Sequence, residues 1–223
     1  AKVLARLEHP GIVPVHDVGA LPDGRAFYTM KFVRGQRLDT YLSDATNAAE
    51  RLRILERLCD AVSFAHANGV IHRDLKPQNV MVGPFGEVLV MDWGVATRAA
   101  AEAGTVAGTP GYMAPEQARG DRADERSDVY ALGAIMRLLI GPEIPKPLGA
   151  IADRATATDP AARYASVESL AADVARFRAA LPVDAYREGI AGRVARVGRK
   201  YAVPIALVLA YLVMRGVLLL LPR

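Results

Sequence analysis

Cysteine is nearly absent: one residue, Cys59, stands among 223. That excludes an intramolecular disulfide framework and points to a reducing compartment for the folded part. Inside an apolar run, the thiol reads as packed core rather than a reactive group. An initiating methionine and a signal-peptide pattern are also missing, and the first residues already read as the end of a helix. The chain therefore reads as N-terminally incomplete. No internal repeat is visible. Concentrated positive charge is lacking through most of the length, since the net +4 comes from basic residues dispersed as far as Arg187. Nucleic acid is thus not an expected partner; the later crowding of arginines toward a hydrophobic tail suits a membrane surface better. What is present is apolar residue, 52% of the chain, enough to bury one or two ordinary cores.

Patterning divides the chain. Residues 2–8 carry Val3, Leu4 and Leu7 at helical spacing, stopped by His9, Pro10 and Gly11. Strands are expected over 12–18 and 26–33 around a turn at Pro22, Asp23 and Gly24. From Asn47 to Asn68, Leu52, Leu55, Leu58, Cys59, Val62 and Ala65 recur at three and four, predicting one long buried helix closed by Asn68 and Gly69. A hairpin follows, with 80–82 and 88–90 flanking Gly83, Pro84, Phe85 and Gly86. Residues 96–111, rich in Ala, Gly and Thr, read as a mobile loop. Helices are expected again over 128–140, 148–157 and 166–181.

The residues that point to chemistry lie between Val70 and Glu116. His72, Arg73, Asp74, Leu75, Lys76, Pro77, Gln78 and Asn79 come directly after a helix, and Met91, Asp92, Trp93 and Gly94 come after the hairpin. A hairpin returns the chain to where it left, so the Asn79 amide oxygen and the Asp92 carboxylate converge at one end. Oxygen ligands of this type suit Mg²⁺, which shares its remaining positions with phosphate and water. Asp74 is then placed to accept a hydroxyl proton, and Lys76 to neutralise charge on a moving phosphoryl group.

This constellation closely resembles the protein kinase superfamily: the catalytic loop, the Asp-Trp-Gly triplet and Ala114, Pro115, Glu116 occur in family order at family spacing over about residues 1–180. The resemblance implies Asp74 as catalytic base, Lys76 as a phosphate contact, Asn79 and Asp92 as metal ligands, and ATP with Mg²⁺ (or Mn²⁺ in its place) as cofactors. Lys76, with Gly108, Thr109, Pro110, Gly111 and Tyr112, looks like the serine/threonine branch, with Thr109 hydrogen-bonding toward Asp74. Small-molecule kinases of the aminoglycoside and choline type are not expected to carry this peptide-binding loop, so protein substrates are implied. By the same resemblance Met30 is the gatekeeper, 31–33 the hinge, with Lys31 beside the adenine and the Val33 amide as donor, and Met81 the adenine floor. Asp128 is similar to the aspartate that accepts bonds from the catalytic-loop backbone, and Glu116 and Arg163 to a buried ion pair. His72 and Trp93 are expected to pack in a hydrophobic spine. Arg73 has two readings, a partner for a phosphorylated activation-loop threonine or a structural hydrogen-bonding group; Thr105 and Thr109 are that loop's candidate threonines.

Departures from the family pattern are plain. The Gly-rich phosphate loop, the strand lysine and its helix glutamate belong upstream of Ala1 and have no counterpart in this sequence. Only 141–147 separates two lower-lobe helices where the family places a further substrate-docking helix. A membrane-tethered pseudokinase or scaffold is therefore the competing reading, although a pure scaffold has no need of both metal ligands.

The expected fold is α+β: a protein kinase fold with the remnant of a small β-rich N-lobe and hinge (1–33), a mainly helical C-lobe (34–181), a basic juxtamembrane segment (182–201) and a transmembrane helix (202–221). In the last, roughly a dozen Leu, Val, Ile and Met at about −0.4 kcal/mol each outweigh at most about +3 kcal/mol for Arg215, which can snorkel. Arg193, Arg196, Arg199 and Lys200 precede the span and put the kinase lobe on the cytoplasmic side of a single-pass membrane protein. The organisation resembles bacterial members of the family. Substrate identity and oligomeric state have no sequence signal.

Overall fold

The computed structural model describes residues 7–42, 47–93, 97–98, 108–141 and 144–189, with scattered positions between 192 and 215. Residues 7–9 are not helical, and the remainder of the helix expected at the start lies outside the described residues. Strand β1 (Val15–Ala20) pairs antiparallel with β2 (Ala26–Met30) around a turn in which Gly24 sits at φ 83°. The first strand thus begins later than its apolar pattern suggests. Residues 11–13 have spent their backbone groups elsewhere: Val90 donates to Gly11 O at 2.8 Å, Val13 donates to Val90 O at 3.2 Å, and Pro14 has no N–H to offer. The second strand ends early, with Lys31 donating one last bond to Pro14 O.

Strands β3 (Gln36–Arg37), β5 (Val80–Val82) and β6 (Val88–Val90) form a second sheet in the order β3-β5-β6, with short helix α1 (Leu38–Tyr41) following β3 and β4 (Val70–Ile71) preceding the loop that carries Asp74. The β5–β6 register, Val80 opposite Val90 and Val82 opposite Val88, buries these four valines and fixes both hairpin ends. Strand β7 (Thr97–Arg98) pairs with β4, so the loop expected over 96–111 contains one short strand held by the backbone of Val70 and Ile71.

The core is helical. Helix α2 (Ala48–Ala67) starts where the Asn47 side chain accepts from Glu50 N and ends at Asn68 before Gly69 at φ 71°. Its buried stripe meets α4 (Glu125–Ile140) and α6 (Val167–Arg178), and α5 (Lys146–Ala155) closes the layer against both. Gly133 allows the closest approach: a Cβ there would stand 2.7 Å from Ala155 Cβ. Cys59 is fully buried in this core, and burial pushes its thiol pKa up, as expected of a packed residue. Helix α4 opens three residues before Asp128, because Asp124 caps it by accepting from Arg126 N. Asp128 consequently lies in the first turn, and its side chain is free to point at another element. Helix α5 has its expected length but lies two residues earlier than expected, and α6 is shorter than its expected span, with Ser166 capping it rather than joining it.

Beyond α6 the chain turns at Ala180 (φ 52°) and lies back on the lobe, with Val183 buried. The expected membrane helix over 202–221 falls largely outside the described residues. Its described positions include Leu207, Val208, Tyr211, Leu212 and Met214, all helical and more than half exposed. No helix among the described residues is long and apolar enough to cross a membrane.

Candidate active site

Asp128 organises the loop between β4 and β5. Fully buried in the first turn of α4, it accepts from His72 N at 2.8 Å, Arg73 N at 2.9 Å and His66 Nε2 at 2.8 Å. Three donors on one carboxylate offset the cost of burying its charge. Burial alone would raise its pKa, but the bond and charge of His66, with His72 beside it, win and hold it below the ordinary carboxylate range. Burial would likewise lower His66, and the partnership with Asp128 overcomes it and raises the imidazole. The loop needs this anchoring because Arg73 sits at φ 69°, a left-handed conformation that ordinary residues disfavour. Gln117, in α3 (Pro115–Ala118), secures the same residue from the other side by donating to Arg73 O at 2.8 Å.

With the backbone held, Asp74 and Lys76 meet. Lys76 Nζ stands 2.7 Å from Asp74 Oδ2 and 2.7 Å from Thr109 Oγ1, and the Thr109 hydroxyl donates to Asp74 Oδ1 at 2.9 Å. All three residues are half-buried, so these charge-assisted bonds are partly shielded from water while the site stays open to a substrate. Asn79, at the end of a 3₁₀ turn (Pro77–Asn79), donates its amide to Asp74 O at 2.8 Å. The nitrogen is thereby committed, and the amide oxygen is left as the group Asn79 can offer elsewhere.

The end of the site that carries Asn79 and Asp92 is built by the hairpin. Met91 N donates to Asn79 O at 2.8 Å, which brings the residue next to Asp92 against Asn79. Asp92 is exposed, sits at φ 56° and accepts from Tyr28 OH at 3.4 Å, linking the β1–β2 sheet to this loop. An amide oxygen and an exposed carboxylate at the same end of one hairpin are the donor types that suit a hard divalent cation. Among the described residues there is no closed cage of three or more His, Cys, Asp or Glu, so an ion here would draw its other ligands from phosphate and water.

His72 is buried, and burial holds its pKa below the ordinary histidine value. Its Nδ1 accepts from Asp74 N at 3.3 Å, so Nε2 carries the proton donated to Met91 O at 3.0 Å. The ring lies 4.5 Å from that of Trp93, whose Nε1 donates to Val90 O. One neutral imidazole thus joins the catalytic loop to the loop bearing Asp92.

Farther down, Arg163 and Glu116 form two parallel bonds of 2.7 Å each, nearly out of solvent. Arg163 also donates to the carbonyls of Ala157, Arg126 and Thr158, and Ser127 donates to Glu116. Burial pushes the Glu116 carboxyl up, and the hydrogen bonds from Arg163, the backbone and Ser127, with the Arg163 charge, more than reverse it.

Of the hinge candidates, Met30 ends β2 and is exposed with Lys31, whereas Val33 and Met81 are half-buried. Thr105 and Gly94 lie outside the described residues. Arg73 Nε is buried without a hydrogen-bond partner. Sequence reasoning missed His66, Gln117 and Tyr28. Only His66 left a signal, an imidazole on the apolar stripe of α2, where a buried polar group needs a partner.

Residues 1–161, well over half of the chain, match the family described as "Protein kinase domain". The serine/threonine-protein kinase PknD of Chlamydia caviae is 33% identical over 236 aligned residues, covering 78% of this chain and 25% of that protein. PknD of Chlamydia abortus is 32% identical with the same coverage, and the serine/threonine-protein kinase pkn3 of Myxococcus xanthus is 43% identical over 159 residues, covering 65% of this chain and 29% of pkn3. The chain spans about a quarter of the length of these relatives.

Proposed function

Because this chain belongs to the protein kinase family and is a kinase domain of the serine/threonine type, we propose that the protein transfers the γ-phosphoryl group of ATP to serine and threonine hydroxyls of protein substrates. The observation that carries this reading is the closed set of bonds among Asp74, Lys76 and Thr109. Asp74 orients the acceptor hydroxyl and takes its proton as the new O–P bond forms and the bond to the leaving ADP oxygen breaks. Lys76 Nζ neutralises charge on the phosphoryl oxygens, and Thr109 holds the carboxylate in register. Asn79 and Asp92 would hold Mg²⁺, which when bound supplies charge neutralisation between the phosphates. Met30, Lys31, Val33 and Met81 would border the adenine.

A glycine-rich loop and strand lysine supplied from upstream of Ala1 would complete the nucleotide site. Supporting this, the two-stranded β1–β2 sheet exposes Val18, Phe27, Tyr28 and Met30, and a pair of strands is marginal without a covering layer. The pseudokinase alternative draws on the same missing parts. Against it stands the bonding of Asp74, which a scaffold would not require. The apolar tail would anchor the protein in a membrane with the kinase lobe on the cytoplasmic side, a reading supported by the basic residues preceding it.

The decisive measurement is phosphate incorporation into a serine- and threonine-containing protein with Mg·ATP, comparing this chain, the chain with its upstream segment, and the latter carrying Asp74→Asn. Transfer by the extended chain alone supports the reading; no transfer by any of the three favours the scaffold. Carbonate extraction and protease protection of the full protein test the anchor.

A further inference from the structure

A groove lies at the turn end of the β5–β6 hairpin, away from the catalytic loop. It is a cavity of about 1040 Å³ between the hairpin turn, residues 34–36 and the first turns of α2. Its floor is apolar, with Ile54 and Val82 almost fully buried, and on its lip Phe85 is 90% exposed. Around this centre stand Arg34, Arg53 and Arg57. Arg57 donates to Gly86 O and so holds the turn. The other two are exposed and form no ion pair among the described residues.

Acidic groups do not balance them. Glu50 is the single carboxylate among the described lining residues, and it is engaged by Tyr41 OH. Glu87, next to the lip, turns back to accept from Phe85 N at 3.0 Å. The groove therefore presents unpaired cations around an apolar floor with one protruding aromatic ring. Interfaces are anchored by such buried apolar and aromatic centres, while charges at the rim choose the partner and speed encounter. The start of α2 at the same wall adds the positive end of a helix dipole.

Position links this groove to the reaction without obstructing it. The hairpin strands are three residues long, which at about 3.3 Å per residue puts the groove roughly 10 Å along the strands from Asn79 and Asp92. A segment bound at the turn leaves the end near Asp74 open.

We propose that this groove docks an acidic segment of the protein substrate, with an aliphatic or aromatic side chain seated over Ile54 and Val82 against Phe85, and carboxylates facing Arg34 and Arg53. That the ligand is a substrate rests on the kinase reading; that the groove takes an acidic, apolar-centred peptide does not.

Fluorescence anisotropy of the full chain with a short fluorescein-labelled peptide, glutamates flanking a central leucine and phenylalanine, reads the binding directly. A lysine-for-glutamate version is the control. Binding of the acidic probe alone is expected, weakened roughly tenfold by Arg53→Glu and by Phe85→Ala, and weakened by added salt. Both substitutions fall on exposed side chains, and unchanged thermal melts verify that the fold is intact. No binding, equal binding of the lysine peptide, or undiminished binding by both variants overturns the proposal. A second arm fuses the acidic segment to a phosphorylatable protein and assays the upstream-extended chain, where Arg53→Glu should raise KM with kcat unchanged. If the probe binds but no protein is phosphorylated, the kinase reading falls and the groove keeps its acidic ligand; if phosphorylation proceeds with KM insensitive to Arg53→Glu, docking of substrates there is wrong.

Discussion

Thr109 donates its hydroxyl to Asp74 Oδ1 at 2.9 Å across 35 residues of sequence. The other oxygen of Asp74 faces Lys76. Each oxygen thus has a fixed neighbour, and the carboxylate is oriented before any substrate arrives. Such preorganisation is the main contribution a protein can make to phosphoryl transfer, where positioning and charge stabilisation supply nearly all of the rate.

Asp74 and Asp92 should separate on mutation in a form of the protein that transfers phosphate. With Asp74 as the proposed base, Asp74→Asn should abolish transfer with Mg·ATP affinity nearly unchanged. Asp92 is the exposed carboxylate beside Asn79, so Asp92→Asn should weaken Mg·ATP binding as well. Isothermal titration with Mg·ATP beside a phosphotransfer assay checks this. Equal affinities and equal residual rates in the two variants would show the assignment to be wrong.

Thr109→Val keeps the shape of the side chain and removes its hydrogen bond. A bond to a charged group is worth about 1.5–3 kcal/mol, so kcat should fall roughly ten- to a hundredfold if that bond orients the base in the transition state. KM for ATP should stay constant, because Thr109 touches Asp74 and Lys76 rather than the hinge. A drop in ATP affinity with kcat preserved would contradict the role given to Thr109.

The parts of the fold that were legible in the sequence are those whose pattern is local. Helix α2 announced itself by its apolar stripe and by Asn47 and Asn68 at its ends, and the β5–β6 hairpin by two valine-rich runs around a glycine turn. Helix α4 was misplaced at its start because its cap, Asp124, lies in a polar stretch without periodicity. Strand β1 was misplaced because Ile12 and Val13 are apolar yet pair with β6 instead. In the candidate site, the catalytic-loop residues share one motif and could be read together. The contributions of Gln117, Tyr28 and the partner of His66 could not, since they depend on packing between α3, β2 and α4 that no local pattern encodes.

Asp173 fixes the segment that follows α6. Buried in the last helix of the lobe, it accepts from Tyr164 OH at 2.8 Å, Asp184 N at 2.6 Å and Ala185 N at 3.0 Å. The chain leading to the tail is therefore clamped to the core rather than hanging from it. Asp173→Ala should cost about 3 kcal/mol, because it leaves the buried Tyr164 hydroxyl without its acceptor. It should also speed hydrogen exchange at Asp184 and Ala185 more than in the centre of α2. Equal acceleration in both places would mean global destabilisation and no specific clamp.

The bond between His66 and Asp128 makes stability depend on pH with a definite sign. His66 is raised in the folded state, so its contribution is fully present below the unfolded histidine value of about 6.5 and is lost as pH rises through the higher folded value. Asp128 is depressed, so its contribution is present above the unfolded carboxylate value of about 3.9 and is lost only as pH falls through its folded value. Between these limits the charged pair is intact. Glu125, 4.0 Å from His66 Nδ1, and Glu168 on α6 reinforce the imidazolium. His72 works in the opposite direction, since burial lowers it and its stabilisation is lost as pH falls below the ordinary histidine range. That effect is common to wild type and a His66→Gln variant and cancels in their difference. Urea unfolding of both proteins across the range from mildly acidic to mildly alkaline should show the wild-type advantage constant at the acidic end and shrinking steadily above neutrality. An advantage that grows with pH would mean that His66 is neutral in the folded protein and that Asp128 is held by the backbone amides of His72 and Arg73 alone.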